Sequence, residues 1–152
     1  MTKRIAIIGY GWLGQPLASL LVDKGHSVIA TCRTAEKIGQ LENTELRHAN
    51  LSLHQVNLSS EQNGLDQLVL NDFDCVIIAI TPGFKRGAKD YASNIANIVA
   101  YAQSNNVKQI VLLSSTGVYT GLTGELSEQS ELDLSIDKVQ QLNAAEQCVL
   151  NF

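Results

Sequence analysis

Three glycines, Gly9, Gly11 and Gly14, stand in G-x-G-x-x-G spacing directly after an apolar run, Ile5 to Ile8. A motif of this kind does its chemistry with the main chain. Gly9 allows a tight turn, Gly11 lets the backbone approach a pyrophosphate, and Gly14 permits close packing of a helix on a strand. Amides at the helix start then face the phosphate charge. Trp12 and Leu13 lie between the glycines and belong to the same candidate binding turn. The plainer alternative is a strand-to-helix turn that binds nothing. Leu13, Leu17, Leu20 and Leu21 follow at helical spacing, and a binding fingerprint needs strand, turn and helix in that order.

A second group of residues bears on which dinucleotide is held. Where a ribose diol is recognised, Asp or Glu usually stands at the end of the second strand. This sequence has Cys32-Arg33-Thr34-Ala35-Glu36-Lys37 there instead. Arg33 can pair bidentately with a 2′-phosphate and Thr34 can donate to it, so the expected cofactor is NADP, with NAD as the second choice. The alternative makes Arg33 a solvated helix-start residue and leaves Glu36 to serve the ribose.

The elements that must position these groups read as a βαβ series. A helix is expected over 15–24, with Pro16 in its first turn and Gly25 as its C-cap. The second strand follows at 27–32 and a short helix at 35–41. A third strand fits either Leu51–Leu53 or His54–Leu58, and the second window is preferred. Asn57 would then end it near the adenine. A weak helix is expected over 65–70. The run Asp74 to Ile80 predicts a central parallel strand, covered on both faces because it is almost continuously apolar. Ala79, Ile80, Thr81 and Pro82 at its end should run alongside the dinucleotide. Lys85 to Lys89 is a basic, glycine-bearing patch. A long amphipathic helix over 90–106, a fifth buried strand over 109–113, an acidic loop over 121–133 and a final helix over 137–150 complete the chain.

The expected fold class is therefore α/β, a Rossmann-like doubly wound parallel sheet of about five strands with helices on both faces. At 152 residues this makes one domain, 1–152. Hydrophobic residues at 45% and charged residues at 17% support a packed core. A net charge of -4 without a Lys/Arg cluster of any length argues against nucleic acid or an anionic membrane as partner. The N-terminal apolar run is broken by the glycine turn, so neither a signal peptide nor a membrane span is expected. Cys32, Cys75 and Cys148 are dispersed, which fits buried thiols in a reducing cytoplasm. The three histidines form no metal pattern with them, and no metal is expected.

Three features together resemble an extended short-chain dehydrogenase/reductase of the NAD(P)-dependent epimerase/dehydratase group. They are the glycine turn, Ser114-Ser115-x-x-Val118-Tyr119 after the fifth strand, and Ala145-Glu146-Gln147 on the last helix. They span nearly the whole chain. The resemblance implies that Ser115 hydrogen-bonds the reacting oxygen of a substrate and that Ser114 lines the nicotinamide side. The alternative has both hydroxyls satisfying backbone groups at the strand end.

The family's proton donor is the tyrosine of Y-x-x-x-K, whose lysine lowers the phenol's pKa and holds the nicotinamide ribose. This sequence departs from that pattern. With Glu146 aligned to the family glutamate, Lys138 takes the tyrosine position and Leu142 the lysine position. Sliding the register so that Lys138 is the lysine places Leu134 at the tyrosine. Tyr119, the nearby phenol, occupies a family position that is structural more often than catalytic. The chain thus resembles an atypical branch that keeps the cofactor fold and loses the pair. Extended members also continue into a smaller C-terminal substrate lobe. The sequence ends at Phe152, which implies a truncated relative or part of a longer product. A sheet ending at strand five would favour a homo-oligomer.

The leading expectation is an NADP-binding oxidoreductase-like protein acting on a small carbonyl or sugar-nucleotide substrate. Ser115 would be its polarising hydroxyl and Lys138 a charged donor. The competing expectation is a non-catalytic NADP(H)-binding regulatory or interaction module.

Overall fold

The computed structural model describes residues 1–42, 49–59 and 62–152. Most of the polar stretch 42–50 lies outside them. The chain opens with β1 (Arg4–Ile8), whose four apolar residues are all buried, and turns through the glycines into α1 (Gly14–Asp23). Gly25, at φ +83°, ends that helix: its amide reaches the Val22 carbonyl and the next amide reaches Leu21. There follow β2 (Ser27–Cys32), α2 (Ala35–Glu42), β3 (Leu51–Gln55), β4 (Cys75–Ile78), α3 (Tyr91–Ser104), β5 (Ile110–Leu112) and α4 (Asp137–Leu150).

The main sheet has five parallel strands in the order β3-β2-β1-β4-β5. This is the doubly wound arrangement, and its order reverses between β1 and β4. Alternation along β1 sends side chains to both faces. Ile7 packs with Ala18, Val22, Val28 and Ala30 on the α1 side. Ala6 and Ile8 join Val76, Ile78, Ile95, Ile98, Val139 and Leu142 on the side of α3 and α4. Helices therefore cover both faces, as the α/β expectation required. No helix among the described residues is long and apolar enough to cross a membrane.

Three local expectations are corrected. The third strand occupies Leu51–Gln55, overlapping the window that was not preferred, in register with β2 from Val28↔Leu51 to Cys32↔Gln55. Leu51 and Leu53 alternate with Ser52 and His54, and that period of two packs both leucines on the α1 side. Leu58–Ser59 instead pairs antiparallel with Gln62–Asn63. The weak helix over 65–70 is a single 3₁₀ turn, Gly64–Gln67, with Leu65, Leu68 and Leu70 buried along an irregular path. The fifth strand is an edge, not a buried element: Ile110 and Leu112 are half-buried and Val111 is exposed, because the strand has one neighbour.

Candidate functional site

The carboxyl ends of β1, β2 and β4 open onto one cleft of about 810 Å³, at the point where the strand order reverses. In open α/β sheets this crevice is the ligand site. Its volume lies in the upper part of the range for ligand pockets.

The glycine turn forms the floor. Gly9 has φ +113°, and a Cβ there would sit 2.8 Å from the Ala79 carbonyl oxygen. A Cβ on Gly14 would come within 2.0 Å of the Gly9 oxygen, so the helix can approach the strand only without one. Gly11 differs: a Cβ there meets nothing within 4 Å and would enter the open cleft. Leu13 precedes α1 without a side-chain cap; beyond Gly14, the Gln15 amide is taken by the Gly11 carbonyl (3.0 Å) and Pro16 has no N–H, so the turn's open amides are those before Gln15. The turn is pinned to β2 by Thr31, whose hydroxyl accepts from the Gly9 amide (3.0 Å) and whose carbonyl accepts from the Tyr10 amide (2.6 Å).

Arg33 and Thr34 stand exposed on the cleft wall where β2 ends. The Arg33 guanidinium has no ion pair or hydrogen bond among the described residues. The Arg33 carbonyl accepts from Gln55 Nε2 (3.2 Å), which ties this corner to β3. Ala79, Ile80, Thr81 and Pro82 continue β4 along the opposite wall. The structure thus brings Gly9, Gly11, Arg33, Thr34, Ala79, Ile80, Thr81 and Pro82 together on one surface.

It places the other expected site residues elsewhere. Trp12 (93% exposed) and Leu13 project to solvent, and Gly14 is buried behind the turn. Ser114 and Ser115 follow β5, outside the cleft wall. Ser114 donates its hydroxyl proton to Glu146 of α4. Ser115 caps the 3₁₀ turn Thr116–Tyr119, its Oγ accepting from the Gly117 amide at 3.1 Å. Lys138 lies half-buried in the first turn of α4, and Leu142, one turn on, is sealed in the core. A lysine could not replace Leu142 without burying its charge.

The sequence reading missed several walls of the cleft. Tyr10, Tyr91 and Asn94 all line it, and Tyr10 Oη, Tyr91 Oη and Asn94 Oδ1 are buried without a hydrogen-bond partner. Burial pushes both phenols up, Tyr91 to about 12, where the nearby Glu146 carboxylate adds to the effect. Both therefore remain donors at neutral pH. Arg86 and Asp90 also line the cleft. The basic patch 85–89 was the one signal in the sequence for this wall. Orphaned polar atoms leave no signal there at all, because they are defined by what packs around them.

A family model described as NAD(P)H-binding matches residues 9–151. Protein YeeZ of Escherichia coli strain K12 is 29% identical over 128 residues, 83% of this chain and 45% of YeeZ. Among solved structures, vestitone reductase from alfalfa superposes with a TM-score of 0.77 at 20% identity, covering 99% of this chain and 52% of that one. UDP-glucuronic acid 4-epimerase from Bacillus cereus, in complex with NAD, gives 0.72 at 15% identity, covering 95% and 50%. The chain spans about half the length of each of these proteins. Its fold is the one that short-chain reductases and epimerases share, as the motifs implied, and its cofactor is a nicotinamide dinucleotide. The chain belongs to the NAD(P)H-binding family.

Proposed function

We propose that the cleft takes NADP(H) in preference to NAD(H), for hydride exchange with a small carbonyl or sugar-nucleotide substrate. The observation that carries this reading is Arg33, a guanidinium on the cleft wall at the end of β2 with no ion pair or hydrogen bond among the described residues. Its fork matches the oxygens of a 2′-phosphate, and the Thr34 hydroxyl adds a donor beside it. Glu36, the carboxylate that would favour a ribose diol, is not among the residues lining the cleft.

The remaining roles are those the motifs imply. Gly11 and the start of α1 hold the pyrophosphate, with Trp12 and Leu13 as the outer lip. Ala79 to Pro82 flank the dinucleotide and shield it from water. The bound dinucleotide supplies the hydride. Ser115 accepts from the Gly117 amide and so keeps its own proton to donate to a substrate oxygen. Ser114, tied to Glu146, holds the end of β5 against α4. Lys138 acts as a charged donor from the first turn of α4.

Steady NADPH oxidation with a panel of carbonyl compounds and sugar nucleotides tests the reading. NADPH should be used at least about tenfold more efficiently than NADH. Ser115→Ala should lower kcat roughly 100-fold, the scale for losing one donor to a developing oxyanion. Equal use of both cofactors, or a Ser115→Ala protein with undiminished turnover, would contradict it.

A further inference from the structure

One wall of the cleft is unused by the roles given so far. It is built from the loop after β4 and the first turn of α3. Gly83 and Gly87, both left-handed, bracket a short turn, Phe84–Arg86. The Arg86 amide reaches the Gly83 carbonyl (2.8 Å) and the Gly87 amide reaches that of Phe84 (3.0 Å). Phe84 packs edge-on against Tyr91, with ring centroids 6.1 Å apart. The loop is therefore anchored, and it presents Arg86 to the cleft.

Like Arg33, Arg86 is exposed and has no ion pair or hydrogen bond from its guanidinium among the described residues. Lys85 and Lys89 flank it in sequence, also exposed. The one carboxylate on the described cleft wall is Asp90, against the two arginines Arg33 and Arg86. Tyr91 and Asn94 line the same cleft as Arg86, and Tyr91 Oη and Asn94 Oδ1, a donor and an acceptor, are buried without a partner among the described residues. Buried polar groups without partners are rare, and nothing among the described residues satisfies these two.

A dinucleotide's charges are already met. The pyrophosphate faces Gly11 and the start of α1, and a 2′-phosphate faces Arg33 and Thr34. No cofactor phosphate is left for Arg86. We infer that Arg86, Tyr91 and Asn94 form a second recognition wall for the substrate, which carries an oxyanion (phosphate or carboxylate) and at least one neutral hydroxyl. Arg86 meets the oxyanion, while the phenol donates to the hydroxyl and the amide oxygen accepts from it. Tyr91 serves as a neutral donor throughout the physiological range, since burial and Glu146 hold its phenol up at about 12. This assignment rests on the cofactor placement proposed above, and it narrows the substrate to an anionic, hydroxyl-bearing compound.

Calorimetric titration of the NADPH-saturated protein tests it, with glucose 1-phosphate, gluconate and glucose as probes. Glucose 1-phosphate or gluconate should bind in the millimolar range and glucose should not. The two anions separate a phosphate from a carboxylate preference. Arg86→Gln should weaken the anionic probe at least about tenfold, the scale of a lost charge-assisted pair, while NADPH affinity stays within about twofold. Asn94→Ala should weaken the same probe with an unchanged melting temperature. The inference is overturned if neither anion binds, or if Arg86→Gln leaves their affinity unchanged. It is also overturned if Arg86→Gln weakens NADPH tenfold, for the guanidinium then serves the cofactor. The same titrations without NADPH keep the two readings apart. If the protein fails to bind NADPH, the cofactor placement falls, and the Arg86→Gln comparison on the unloaded protein still decides whether this wall takes an anion.

Discussion

Gly11 and Gly14 share a motif but do opposite work, and substitution separates them. A methyl at Gly14 would lie 2.0 Å from a backbone oxygen that cannot move aside. Gly14→Ala should cost more than about 3 kcal/mol, beyond ordinary overpacking, and lower the melting temperature sharply. A methyl at Gly11 meets no atom within 4 Å. Gly11→Ala should keep stability within about 1 kcal/mol and still lose at least about tenfold in NADPH affinity, because the methyl would fill the space proposed for the pyrophosphate. Thermal denaturation beside a cofactor titration checks both; a Gly11→Ala protein that melts early and binds well would reverse the assignment. Spacing alone made the close packing at Gly14 legible. Thr31 was less so. Its hydroxyl matters only because the turn of another βα unit lands on it. Asn94 and Tyr91 were illegible for the same reason, since no local pattern distinguishes an orphaned amide from a solvated one.

Among the elements, the four described α-helices were read closely, the 65–70 segment and edge features poorly. α4 runs from Asp137 to Leu150, the expected span, because its apolar residues recur at helical spacing. That register sets Lys138, Leu142 and Glu146 on successive turns. Leu142 is 1% exposed and packs towards Gly117, so the position that would take the family's lysine when Glu146 is aligned to the family glutamate is a core position here. Leu142→Ala should cost about 2–5 kcal/mol by denaturant unfolding, as truncation of a buried leucine does. A loss below about 1 kcal/mol would mean that the helix sits otherwise. Strand β3 was misplaced because two short windows competed and the alternating one was undervalued. The exposure of β5 depends on having no strand beyond it among the described residues, which no window of its own sequence reports.

At the scale of the whole molecule, the sheet order β3-β2-β1-β4-β5 does the assembling. It sets the ends of β1, β2 and β4 side by side, so residues as distant as Gly11, Arg33 and Pro82 line one crevice. The order was implicit in the βαβ spacing and in the right-handed rule for crossovers. The placement of charge was not. The chain carries a net charge of -4, yet the described residues of its cleft wall include two arginines against one aspartate, a local inversion of sign that favours anionic ligands. The central claim is that Arg33 reads a 2′-phosphate. Dissociation constants for NADPH and NADH, measured side by side on the wild-type and Arg33→Ala proteins, test it most directly. The account predicts at least about tenfold tighter NADPH binding by the wild type, and a roughly 10- to 100-fold loss in Arg33→Ala that leaves NADH unchanged. Equal affinities in the wild type, or an equal loss for both cofactors in the variant, would contradict it.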